Sequence, residues 1–184
     1  MTDRDGERWL AIYLNDHLAG SYGGAALARR IAREHPTGPD APALRTLAKE
    51  VAEDRDELLA LMRALGVRPR RHRMLLGSAA ELAGRLKLNG RVLRRSPLSD
   101  LLETEAMRSG VQGKIALWRA LRAASSDDLL TARLQRLADR ADRHAEILDA
   151  RQAEAAELLR HALGRNWQAA KRPDPLHSAV PEHV

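Results

Sequence analysis

Four side chains able to carry chemistry fall on four separate stretches of helical pattern: His17, Asp54, Glu105 and His144. Imidazoles and carboxylates turned toward a common interior suit three kinds of chemistry. They can ligate a metal such as iron or manganese, pass a proton between acid and base, or hydrogen-bond one another inside an apolar core. At about 1.5 Å of rise per residue, His17 lies roughly 10 Å and Asp54 roughly 16 Å from a shared end, with Glu105 and His144 at roughly 20–25 Å. On these heights Asp54, Glu105 and His144 form the expected group, and His17 and His144 are too far apart to hold one ion between them. The expectation is that the interior polar groups satisfy one another, as His17–Asp54 or His144–Glu105 pairs. A metal site built from Asp54, Glu105 and His144, with His17 beside it, is the alternative.

Other chemistry is easier to exclude. The chain contains no cysteine, which removes disulfides, thiolate metal sites and cysteine nucleophiles. No P-loop, dinucleotide fingerprint or nucleophile elbow occurs. The first residues, "MTDRDGERWL", are charged, and no run approaches the roughly 20 apolar residues that span a bilayer. A soluble, cytoplasmic protein is expected, with no membrane partner. Whether it is an enzyme stays open.

The elements that must position the four residues are helical. Ala, Leu and Arg dominate the 184 residues, Phe is absent, and Trp9, Tyr13, Tyr22, Trp118 and Trp167 are the only aromatics. Strong helix formers with few strand formers predict an all-α chain. A first helix is expected from about Arg4 to Arg33, with His17 at the centre of a stripe shared by Leu10, Tyr13, Leu14, Ser21, Gly24, Ala28 and Ile31. Its interior glycines, Gly20, Gly23 and Gly24, each cost about 1 kcal/mol relative to alanine, and close approach of neighbouring helices is the expected reason for them. Asp40 and Pro42 open a second helix that runs to about Leu65, with Gly66 closing it. Leu44, Leu47, Val51, Leu58, Met62 and Leu65 share one face, which includes Asp54, with Glu50 and Glu57 at its margin. Ser96 and Pro97 start a third helix reaching about Ala123, and "SSDD" at 125–128 caps a fourth that runs to about Leu163. One domain over 1–164 and a flexible tail over 165–184 complete the expected layout.

Between Gly66 and Ser96 lie some 30 residues with a short apolar helical piece around Met74–Leu86 and an Asn89–Gly90 turn. That length exceeds what adjacent antiparallel helices need and suits a crossover along a bundle. The stretch holds nine basic residues against Glu81 alone, a local charge of +8 within a chain of net +6. Arg68, Arg70, Arg71, Arg73, Arg91, Arg94 and Arg95 are therefore the candidates for phosphate or nucleic-acid binding. Interleaved aromatics for base stacking are missing, so a salt-bridged surface against Glu50, Glu53, Asp56 and Glu57 is the preferred expectation.

Two hairpins joined by a long crossover are the topology of ferritin-like four-helix bundles. The chain also resembles an uncharacterised bacterial family of small ferritin-like proteins, through "YLNDHLAG" (13–20), "GRLKLNGR" (84–91), "RSPLSDLLETE" (95–105) and "GVQGKIALW" (110–118). The likeness spans roughly residues 10–160 and brings no assigned activity. Di-iron members of the fold carry Glu-x-x-His pairs, and this chain has none. The leading expectation is a non-catalytic scaffold or interaction protein without a complete di-iron site, forming a homodimer through its long last helix. A metal-dependent oxidoreductase or metal store is the rival.

Overall fold

A computed structural model describes residues 3–70 and 97–170, and the described residues form four helices without strands. They are α1 (Asp3–Glu34), α2 (Ala41–Ala64), α3 (Pro97–Ala124) and α4 (Asp128–Ala170). Most of the expected crossover, including Met74–Leu86, Asn89–Gly90, Arg71, Arg73, Arg91, Arg94 and Arg95, lies outside the described residues, as do 171–184 of the expected tail. Residues 165–170 continue α4 instead of starting that tail. No helix among the described residues is long and apolar enough to cross a membrane.

The helix ends follow local chemistry, with one departure. Gly66 takes φ +67°, a left-handed conformation that glycine adopts without penalty. This lets the Val67 N–H bond back to the Met62 carbonyl at 2.8 Å and close α2. Asp127 caps α4, its Oδ1 accepting from the Leu130 N–H at 2.7 Å. Asp40 occupies the N-cap position of α2, yet its carboxylate makes no cap bond and pairs with Arg151 of α4 instead. A buried guanidinium is the more demanding partner.

α1 packs against α2 and α3, and α4 packs against α3 and α2. The pairings fix directions. Asp40, Glu50, Asp54 and Glu57 meet Arg151, His144, Arg140 and Arg133 in turn. One series rises as the other falls, so α2 and α4 are antiparallel. In the same way His35 meets Asp100 and Arg30 meets Glu103, and α1 and α3 line one cavity further along. With α1 and α2 joined by a short loop, α2 and α3 lie parallel on a diagonal. The end of α2 and the start of α3 therefore lie at opposite ends of the bundle, separated by the length of a helix of 24 residues, about 36 Å.

The interior is built from the expected stripes, somewhat rotated. Leu14, Leu18, Ala28 and Ile31 of α1 and Leu44, Leu47, Val51, Leu58 and Met62 of α2 are buried, as are Met107, Val111, Ile115 and Trp118 of α3 and Leu134, Ala141 and Leu148 of α4. Leu65 is exposed at the end of α2. The centre of the α1 stripe falls on Leu14, Leu18 and Ala25, which leaves His17 half-buried at its side. The displacement follows from α1 having two neighbours, which bury a wider face than a single stripe. Leu148 is fully enclosed, so Leu148→Ala is expected to lower stability by about 2–5 kcal/mol through lost burial and the cavity left behind. Urea denaturation would measure it, and a loss below about 1 kcal/mol would contradict this packing.

Candidate functional site

The interior of the bundle holds a charged network centred on Asp54, which is 2% exposed. Its carboxylate faces α3 and α4 because residue 54 continues the apolar series Leu47, Val51 and Leu58. Lys114 of α3 donates from Nζ to Asp54 Oδ2 at 2.5 Å and to His144 Nδ1 at 2.9 Å. Arg140 of α4 donates to Asp54 Oδ1 and, at 3.3 Å, to Glu53. An ammonium has no lone pair, so Nδ1 of His144 must be the acceptor and Nε2 must carry the ring proton. That proton is donated to Glu50 Oε2 at 2.7 Å. The chain Glu50–His144–Lys114–Asp54–Arg140 thus links three helices and alternates acceptors with donors.

Burial decides the protonation tendencies. Desolvation pushes the His144 pKa below its ordinary 6.5, and the neighbouring ammonium of Lys114 adds to this, with the bond to Glu50 opposing both. Lys114 is lowered from 10.5, again chiefly by burial, while Asp54 works to keep it charged. His17 is lowered by burial against a weaker opposing pull from Asp16. Its ring packs edge-on to Tyr13 with centroids 4.6 Å apart.

The structure therefore brings Asp54 and His144 together, with 4.0 Å between Asp54 Oδ2 and His144 Nδ1. Glu105 is not with them. Glu103, Thr104, Met107 and Val111 take the inward positions of α3, which turns residue 105 onto the flank. The pairing of His144 falls to Glu50, which had been placed at the margin of α2, and not to Glu105. His17 does not reach Asp54 by a hydrogen bond, although both line the same cavity. Among the described residues no group of three or more His, Asp or Glu side chains is placed to hold a metal ion. The acidic face of α2 is answered by α4: Glu57 pairs with Arg133, and Glu53 with Arg140. Arg68 and Arg70 are exposed, and their backbone is held by Asn15, whose Oδ1 accepts from the Arg70 N–H at 2.7 Å.

A second network closes one end of the bundle. Arg151, 8% exposed, reaches Asp40 at the start of α2 and Asp100 of α3, the latter at 2.8 Å. His35, just beyond α1, meets Asp100 at 2.8 Å. One guanidinium thereby gathers groups from all four helical segments.

Beside the Asp54 network, α1, α2 and α3 line a cavity of about 340 Å³ that opens to solvent past Asp16, Gly20 and Gly110, which are exposed. Gly20 and Gly24 line it from α1, and Gly110 and Gly113 line it from α3. A Cβ built on any of these four, or on Gly23, would meet nothing within 4 Å. The glycines do not admit a neighbouring backbone, contrary to the expectation from sequence. They leave space. Comparison of the chain with family models, curated proteins and solved structures gave no match.

Asp54→Ala leaves two buried cations without their carboxylate and is expected to lower stability by about 3–5 kcal/mol. Glu57→Ala, which breaks the partly exposed pair with Arg133, should cost less than about 1 kcal/mol. Replacing Asp54 and Lys114 together by Leu and Met should recover the share of the loss due to Lys114, Arg140 keeping Glu53 as its partner; a double variant no better than Asp54→Ala would contradict the pairing. The pH response has a definite sign. The unfolded chain protonates His144 near 6.5, whereas the folded chain keeps it neutral to lower pH, so stability falls as pH drops through 6.5. His144→Gln should flatten that part of the profile in urea midpoints taken from pH 7.5 to 5.5, with His17→Gln as the control for the second lowered histidine; an unchanged slope in His144→Gln would contradict this assignment.

Proposed function

We propose that this protein is a ferritin-like four-helix bundle acting as a non-redox scaffold, in which an ammonium ion takes the place of a bound metal. The observation that carries this reading is the position of Lys114 Nζ, within hydrogen-bond distance of both Asp54 and His144. The topology supports the kinship, since two antiparallel hairpins with α2 parallel to α3 are arranged as in that fold. The segments quoted from 13–20, 95–105 and 110–118 support it as well.

The donor set argues against a resident iron or manganese pair. Both oxygens of Asp54 are engaged by cations, and both ring nitrogens of His144 are engaged by Lys114 and Glu50. A divalent ion at this position would have to displace the Lys114 ammonium and stand close to the Arg140 guanidinium, and like charges so placed repel strongly at low dielectric. Glu105, required for a carboxylate-rich shell, lies on the flank of α3. The residues present do not fit a di-iron centre.

Elemental analysis of untagged protein from cells grown with added iron and manganese tests the reading. The expected result is no stoichiometric metal, with thermal stability unchanged by chelator or by ferrous iron. Stoichiometric metal that disappears in the Asp54→Asn and His144→Gln variants would overturn it.

A further inference from the structure

We propose that the Asp54 network is a proton-driven switch: when His144 takes up a proton, its Nδ1–H replaces the Lys114 ammonium at Asp54, and the ammonium swings into the cleft between α1, α2 and α3. The proposal rests on the reading that an ammonium, and no metal, joins Asp54 to His144. Its test uses metal-free protein, so the two fail separately.

Three observations meet at this network. The first is a shared atom. Nε2 of His144 already carries a proton, donated to Glu50, so a second can enter only at Nδ1, whose lone pair accepts from Lys114 Nζ at 2.9 Å. The imidazolium and the Lys114–His144 bond therefore exclude each other. The second is a replacement within reach. Asp54 Oδ2, which accepts from Lys114, lies 4.0 Å from the same Nδ1. A shift of about 1 Å brings Nδ1–H to hydrogen-bond distance, and the buried carboxylate exchanges one cation for another. The third is a place for the displaced charge. Lys114 lines the cleft and keeps 14% of its side chain exposed. Gly110, one turn before it, and Gly24 of α1 line the cleft too, and a Cβ on either meets nothing within 4 Å. A flexible four-carbon stem has room there to turn its ammonium toward solvent.

The surrounding charges set the direction. From α2, Glu50 and Asp54 favour the imidazolium; from α3, Lys114 opposes it, and burial of the ring opposes it most. Arg140, on α4 itself, holds the other oxygen of Asp54 and pairs with Glu53 in either state. The switch therefore turns below the ordinary histidine value of 6.5. Asp16 and His17 of α1 border the space that the ammonium enters. The Asp16 carboxylate attracts it, whereas a protonated His17 repels it.

Nitrogen-15 NMR of the full chain, stripped with chelator and followed from pH 7.5 to 4.5, reads both ends of the switch. Exchange of the Lys114 ammonium with water is measured against that of Lys49, whose side chain is exposed. It should be about tenfold or more slower than Lys49 while His144 is neutral, and should approach parity at the pH where the His144 ring titrates, with backbone amide signals still those of the folded chain. Lys114→Met, which removes the neighbouring cation, should raise the His144 midpoint by about one pH unit, a tenfold gain in proton affinity. Gly24→Leu, or Gly110→Leu should the first not fold, fills the space and should lower that midpoint by a similar amount. His17→Gln should leave the two events coincident. Protection of Lys114 that outlasts titration of His144, a His144 ring that titrates only as the chain unfolds, or an unmoved midpoint in a folded leucine variant would overturn the proposal.

Discussion

A carboxylate removed from water must be answered by positive charge, and Asp54 imposes that condition on the whole bundle. Its position in the α2 stripe would expel it to solvent were it unpaired, since an isolated buried anion is far more costly than any packing gain around it. Lys114 and Arg140 arrive from different helices to meet it. The rotation of α3 and the register of α4 against α2 are therefore both tied to one side chain. His144 and Glu50 extend the same logic: Nδ1 of His144 accepts a second N–H of the ammonium, and its Nε2–H is donated to Glu50. Such a network specifies one arrangement of helices more sharply than apolar surface does, because a shift of one turn breaks several charge-assisted bonds at once.

Next to this rigid centre lies its opposite, a partly open cleft with four glycines in its lining. The two features share α3. Lys114 turns toward α4, while Gly110 and Gly113 on the preceding turn leave the side toward α1 open. Trp118, one turn later, closes the far wall. The helix that completes the ionic chain is thus the helix that keeps the cavity, and neither could be repositioned without the other.

Much of the architecture was legible from spacing alone. The apolar period located four helices, Gly66 and Asp127 marked ends, and the long link predicted that α2 and α3 would not be neighbours. The site was legible in part. Asp54 and His144 stood out as polar residues on apolar stripes and do meet. Lys114 did not stand out, because a single lysine on a helix reads as a solvated side chain, and only the tertiary fold turns it inward. Glu50 was placed at the margin of its face, where a glutamate has enough methylenes to reach in. Glu103, fully buried and paired with Arg30, is not legible in the sequence because the α3 pattern drifts around the helix and hides its true inner face. The glycines of α1 are anomalous in the sequence, which suggests close packing where the structure has none. Whether a glycine admits a neighbour or preserves emptiness depends on what stands opposite, which no one-dimensional pattern contains.

The parallel diagonal of α2 and α3 has a consequence for how the molecule coheres. It divides the chain into two hairpins, 3–70 and 97–170, joined to each other by a series of ionic ties in addition to those, such as Arg108–Asp149 and Arg119–Asp142, within the second. The first hairpin contributes Glu50, Glu53, Asp54 and Glu57, and the second contributes Lys114, Arg133, Arg140 and His144. The facing surfaces of α2 and α4 are counterparts, while Arg30 and Glu103 reverse the sense between α1 and α3, and each hairpin as a whole carries as many acidic as basic residues. If the link were severed, the two halves would find their register through the matching of these faces at contact and not through long-range steering by net charge.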